Sequence, residues 1–275
     1  MSATAEVTTA DWLHGVVRDV PPETLAAMAG MAGTPVRAVR AAGLAAVVSA
    51  APLTEYGEEP LRRNLEDLAW LERAARTHHG VVAALARTGP VVPARLATVY
   101  HDDERVAGLL TARRAELAAV LDRLAGREEW GVKGYVVPGA APAPTAAPES
   151  GGAGAAYLRR RRAQLTAREE GQRVAAAAAA AVHDALAGQA IAARRHPPQD
   201  RRLSGAPTPM VLNGAYLVDT AGLPGFTALV GELGDRHPEL RLELTGPWPA
   251  YSFVDGTGPA DVSAADGPAA DGVPA

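Results

Sequence analysis

Apolar residues recur along this chain with two periods, and the changes of period mark out its elements. Residues 12–18 (WLHGVVR) have the composition of a strand. The Val-rich runs 35–40 and 44–49 flank Ala42-Gly43, the pattern of a hairpin. Leu61, Leu65, Leu68, Leu71, Ala75, His78, Val82 and Leu85 then step by three or four, which predicts one long helix over 60–88. Pro60 suits its first turn, and Gly89-Pro90 stops it. Residues 91–100 (VVPARLATVY) read as a strand in which Pro93 implies an edge or a bulge. Asp102 and Asp103 suit the cap and dipole of a following helix. Val106, Leu109, Leu110, Leu117, Val120, Leu121 and Leu124 form its stripe, and Gly126 ends it.

The second half opens with a strand over 130–137 (WGVKGYVV). Residues 138–156 carry four prolines among glycines and alanines, a composition that buries little and predicts a mobile loop. A long helix follows over 157–195, with seven consecutive alanines at 175–181 and a seam of Val174, Ala178, Val182 and Leu186. His196-Pro197-Pro198 stops it. Residues 210–218 read as a strand, and Leu223, Phe226, Val230 and Leu233 as a short helix up to Pro238. Leu240, Leu242 and Leu244 alternate with Arg241 and Glu243, a half-buried strand. With one more short strand near 201–206 this half reads βαββαβ, the split unit of ferredoxin-like domains. The expected fold is therefore α+β in two domains. Residues 1–10 are a flexible start, 11–126 the N-terminal domain, 127–254 the C-terminal domain with its loop at 138–156, and 255–275 a disordered tail.

Composition narrows the possible functions. At about 150 residues per domain, 275 residues suit two domains. Hydrophobic residues at 48% and charged residues at 21% suit a soluble globular protein. The net charge of −4 weighs against a nucleic-acid coat or a membrane-surface binder, which carry a basic excess. The absence of cysteine removes disulfides, thiolate metal sites, iron–sulfur clusters and a cysteine nucleophile. Residues 1–15 have neither the basic nor the apolar region of a signal peptide. The longest apolar run, 174–182, is nine residues, against about 20 for a spanning helix. A cytoplasmic protein without a membrane partner is expected.

The candidate chemistry is thin. His78 and His79 are adjacent on a helix, about 100° apart, with no HExxH spacing, so packing explains them better than a shared metal. Capping accounts for the acids of His101-Asp102-Asp103-Glu104. His14, His183, His196 and His237 have no evident partners in the sequence. Residues 150–154 (SGGAG) lack the Gly-Lys-Ser/Thr of a phosphate-binding loop and read as a hinge. No GxSxG or placeable Ser–His–Asp set is present. Arg159, Arg160, Arg161 and Arg162 suggest an anionic partner, and an RNA-binding module of ferredoxin-like fold is the alternative function. Only 4% of residues are aromatic, however, and Trp130 and Tyr135 sit in no basic-aromatic RNA-binding pattern. Residues 247–253 (PWPAYSF) are dense in rings that either cover a core edge or anchor a partner through Trp248 and Tyr251. No catalytic residue, metal ligand or cofactor site is expected.

Several phrases in order carry a resemblance. They are EEPLRRNLEDL at 58–68, His78-His79, VPARLATVY at 92–100, EWGVK at 129–133, YLRRR at 157–161, VLNGAYLV at 211–218 and LTGPWP at 244–249. Together, over residues 11–253, they resemble the gas vesicle protein F/L family (GvpF/GvpL). The resemblance implies two α+β domains, the second a modified ferredoxin-like fold. It implies an accessory, non-enzymatic role in gas vesicle assembly with no catalytic residues to carry over. The implied partners are the small hydrophobic shell protein and other accessory gas vesicle proteins, and the implied place is the vesicle, on its gas-facing side.

Overall fold

The computed structural model describes residues 8–137, 153–199 and 207–254, which fall into two units. Residues up to 126 and the segment 249–254 make the first, and Arg127–Trp248 the second.

In the first unit, β1 (Thr9–Val17) runs through the middle of an antiparallel sheet. A one-turn helix, α1 (Pro22–Ala26), follows it, and then the hairpin β2 (Val36–Ala41) and β3 (Leu44–Pro52), with β3 paired to β1. The hairpin turns on Ala42 at φ 51° and Gly43 at φ 76°. Two left-handed residues give the turn whose twist matches the strands. A one-turn helix, α2 (Leu53–Tyr56), comes next, and the helix expected over 60–88 is two helices instead, α3 (Glu58–Asn64) and α4 (Leu68–Ala86). Asp67 makes the break, its carboxylate accepting from the amides of Ala69 at 2.9 Å and Trp70 at 3.3 Å. That cap satisfies two otherwise unpaired donors and starts α4 afresh. Leu65 and Leu68 are consequently exposed, and α4 buries Trp70, Ala74, His78, Val81, Val82 and Leu85.

Residues 91–100 contribute only the two-residue strands β4 (Val92–Pro93) and β5 (Val99–Tyr100), both on β1. Pro93 has no N–H to continue the ladder, and Ala97 at φ 67° turns the chain between them. The helix expected after Asp102 divides at Arg113 into α5 (Asp103–Ala112) and α6 (Arg114–Leu124). All seven residues of its expected stripe are buried. Arg37 of β2 ties α5 to the sheet through Asp103 at 2.7 Å and Asp11 of β1 at 2.5 Å.

The second unit contains β6 (Arg127–Val136), α7 (Ala153–Ala187), β7 (Ala192–Arg195), β8 (Met210–Asp219), α8 (Leu223–Arg236) and β9 (Leu240–Trp248). The sheet order is β7-β8-β6-β9, and every neighbouring pair is antiparallel. Ala175, Ala178, Ala179, Val182 and Leu186 of α7 and Phe226, Val230 and Leu233 of α8 pack with Val132, Leu212, Tyr216, Val218 and Leu240. The alanines let α7 lie close to the strands. Val174, expected in the seam, is exposed, and Ala175 takes the inward position.

The helix expected to run to 195 ends at Ala187. Gly188, which weakens a helix interior, closes the last turn on Asp184, and Ile191 donates to Leu217 to start β7. The strand after α7 is thus 192–195. The alternative near 201–206 lies outside the described residues, as do 1–7, most of the 138–156 loop and the 255–275 tail. The last part of that loop, 153–156, already belongs to α7. Residues 249–254, expected in the second domain, belong to the first unit. Phe253 and Val254 are buried there, and Arg123 donates to the Phe253 carbonyl at 2.5 Å.

Candidate functional site

The most polar buried place in the first unit is built on a fault in β1. Leu13 pairs with Val48 but Gly15 with Val47, so His14 is an extra residue opposite none. Such a bulge inverts the alternation of faces beyond it. Trp12 before it, His14 within it and Val17 after it all point toward α4. Gly15 is required beside the bulge, because a Cβ there would lie 2.9 Å from the Val92 carbonyl oxygen.

His78 of α4 meets these residues. The Trp12 Nε1–H donates to His78 Nδ1 at 3.0 Å, and His78 Nε2 lies 3.0 Å from the Ala94 carbonyl. A tryptophan only donates, so Nδ1 carries the lone pair and Nε2 carries the proton that goes to Ala94. The bonds fix a neutral imidazole and one tautomer. The His14 ring stacks on His78 with centroids 5.3 Å apart, and its Nε2 lies 2.9 Å from the Ser49 hydroxyl. Ser49 also accepts from the Met31 amide at 3.0 Å. His14 Nδ1 is buried with no hydrogen-bond partner among the described residues. Burial, with the neighbouring His78, pushes His14 down to about 3. Burial also pushes His78 down to about 4. Neutral histidines with fixed or buried nitrogens are packing groups rather than proton carriers at ordinary pH.

Next to this cluster is a cavity of about 230 Å³ lined by Met31, Tyr56, Trp70, Arg73, Ala74 and Thr77. Trp70, Arg73, Ala74 and Thr77 are successive positions of one face of α4. Glu55 accepts from Trp70 Nε1 at 2.7 Å, and burial pushes the Tyr56 hydroxyl up to about 12.

The structure separates the two expected anchor residues. Trp248 ends β9 in the second unit with 46% of its surface exposed. Tyr251 belongs to the first unit, where its ring lies over His79 at 6.2 Å and near His78 at 6.4 Å. Asp102 caps α5 by accepting from Arg105 N at 2.9 Å, and Asp103 pairs with Arg37. Among the described residues no three His, Asp or Glu side chains are grouped to hold a metal ion. Ser150–Gly152 lie outside the described residues. Arg159–Arg162 are exposed on α7. Among the described residues no helix is long and apolar enough to cross a membrane.

The Trp12–His14–Ser49–His78 cluster was not foreseen as a unit. A Trp-x-His alternation in a strand and an inward histidine on a helix were visible. Their meeting depends on the bulge, which pattern alone does not place.

Comparison with known proteins covers both units. The family described as gas vesicle synthesis protein GvpL/GvpF matches residues 10–255. Gas vesicle protein L of Streptomyces sp. strain CB03234 is 44% identical over 82% of this chain and 85% of its own length. Gas vesicle protein F of the same strain is 28% identical over 89% of this chain and 99% of its own. The crystal structure of GvpF from Anabaena sp. PCC7120 superposes with a TM-score of 0.62 at 20% identity, covering 89% of this chain and 95% of that one. GvpF from Microcystis aeruginosa gives 0.60 at 18% identity, covering 89% of this chain and 98% of that one. The same architecture thus persists where few side chains are shared, and with the family match spanning residues of both units, the chain belongs to the GvpL/GvpF family of gas vesicle synthesis proteins and its role lies in gas vesicle formation.

Proposed function

We propose that the chain is an accessory, non-enzymatic assembly protein that binds the small hydrophobic shell protein, and other accessory gas vesicle proteins, during nucleation of the vesicle. The observation that carries this reading is the family match over residues 10–255, which spans residues of both units. The buried histidines fit a protein that works through surfaces, because their ring nitrogens serve packing. The physical task is plain. Apolar shell subunits expose adhesive surface before they assemble, and a partner that covers that surface keeps them in solution. In this reading the protein is cytoplasmic until it joins the vesicle, on the gas-facing side. The identities of 44% and 28% with proteins L and F of one Streptomyces strain favour an L-type role. The β7-β8-β6-β9 order, with two helices in a β-α-β-β-α-β sequence, supports assigning the second unit to the modified ferredoxin-like class.

Deleting the gene in a vesicle-forming host is expected to abolish or stunt vesicles. Normal vesicle number and shape would refute the assembly role. The half-exposed Trp248 is the candidate anchor that the geometry leaves accessible. Trp248→Ala is expected to weaken capture of purified shell protein with the circular dichroism intact. Loss of the fold in that variant, or unchanged capture, would remove Trp248 from the interface.

A further inference from the structure

Helix α7 has two halves of different character. From Ala175 to Leu186 it packs on the sheet, whereas residues 157–174 are exposed, with only Ala167 and Gly171 half-buried. That stretch is about 27 Å of helix at 1.5 Å per residue. Four of the eight large apolar residues exposed among the described residues lie on it: Tyr157, Leu158, Leu165 and Val174. It also carries six arginines against two glutamates, in a chain whose net charge is −4. Arg159–Arg162 have no ion pair among the described residues, and Glu170–Arg173 is the pair found on this stretch.

The arrangement of these residues is directional. At about 100° per residue, Leu158 and Leu165 fall within about 20° of each other. Arg161 and Arg168 border that leucine stripe on one side and Arg162 on the other. The stripe is turned by about 100° from the face that buries Ala175 and Val182, so it does not continue the core face past the sheet. Gly171 and an uncovered apolar stripe are both unfavourable in an isolated helix, which gains most of its stability from packing.

We propose that residues 157–174 are a docking arm for an acidic amphipathic helix of another protein of the vesicle assembly. The apolar stripe takes the partner's apolar face, and the bordering arginines take carboxylates on either side, as in helix-to-helix recognition. Charge complementarity sets the sign of the partner. The leucines set its class, because a polynucleotide uses the arginines and leaves the leucines in water. A second copy of the arm is disfavoured by its own excess of positive charge. The proposal rests on the assembly reading, and its test separates the two.

The experiment places a photoreactive benzophenone side chain at position 165 of the full chain in vesicle-forming cells and sequences the cross-linked peptide. The expected product is a segment of another gas vesicle protein with net negative charge and apolar residues at helical spacing. Its yield should fall on the order of tenfold in R161E/R168E. Cross-links to nucleic acid, to another copy, to the chain itself or to a neutral or basic segment overturn the proposal, as does no cross-link or a yield indifferent to R161E/R168E. R161E/R168E is also introduced alone, with its circular dichroism checked. Normal vesicles there, in a host where gene deletion abolishes them, overturn the arm and leave the assembly role standing. Normal vesicles after gene deletion overturn the assembly role itself.

Discussion

In the first unit the helix crossing the sheet presents a histidine, and the strands meet it with a tryptophan, a second histidine and a serine. In the second the crossing helix presents alanines, and the strands meet them with Leu212, Val218 and the ring of Tyr216. The second core has its polar contact at the margin, where the Tyr216 hydroxyl and Nδ1 of the half-buried His183 share a hydrogen bond at 2.8 Å. The first arrangement depends on directed bonds between groups far apart in sequence. The second depends on area and close approach. Buried polar contacts specify one geometry and penalise any partner left unpaired, whereas aliphatic packing tolerates small shifts.

The largest effect is expected from Trp12→Ala. It opens a cavity and leaves His78 Nδ1 without its donor, for a loss of about 4 kcal/mol in denaturant unfolding. If hydrogen exchange then shows the second unit losing protection as much as the first, the two cores are not separable and the comparison fails.

Acid should distinguish the units next. His14 and His78 are held below the ordinary value of 6.5 in the folded chain. The unfolded chain therefore binds protons that the folded one refuses. Stability is intact above pH 6.5 and falls as the pH drops from there toward about 4 and then 3. At pH 5 the two groups together remove on the order of 4 kcal/mol. Burial also lowers His183 in the second unit, but that ring is at the margin and weighs less. Amide exchange at pH 7 and pH 5 should show the loss concentrated in β1, β3 and α4. An equal loss across β6 and β8 would contradict the assignment. The smallest effect belongs to Tyr216→Phe, which removes the marginal bond and keeps the ring, at about 1 kcal/mol by thermal unfolding. A loss above about 3 kcal/mol would mean that the second core is organised by polar contacts after all.

Strongly periodic elements could be read in the sequence. The Val106-to-Leu124 stripe, the hairpin at Ala42-Gly43 and the α8 face at Phe226, Val230 and Leu233 come from local pattern, because in each the buried face repeats faithfully. The breaks were less legible. Leu65 and Leu68 fit the helical spacing, yet the Asp67 cap resets the phase and leaves both in water. The alanine-rich tract gave no mark of where α7 ends, since Ala suits a helix throughout and the end is decided by pairing of 192–195 with β8. Of the two expected anchors, Trp248 is accessible and Tyr251 packs over histidines. The short segment joins one unit to the other, and composition carries no sign of that crossing.

The return of residues 249–254 to the first unit makes the second unit an insertion held at both ends. During synthesis the ribosome emits β1 through α6, then all of β6 to β9, and only afterwards Tyr251 and Phe253. The first unit therefore waits for more than a hundred residues before its last buried groups arrive, with the side of α4 around His79 open to solvent meanwhile. Completion of one unit is thereby tied to translation of the other. A nascent chain stopped before residue 249 therefore lacks a buried part of the first unit.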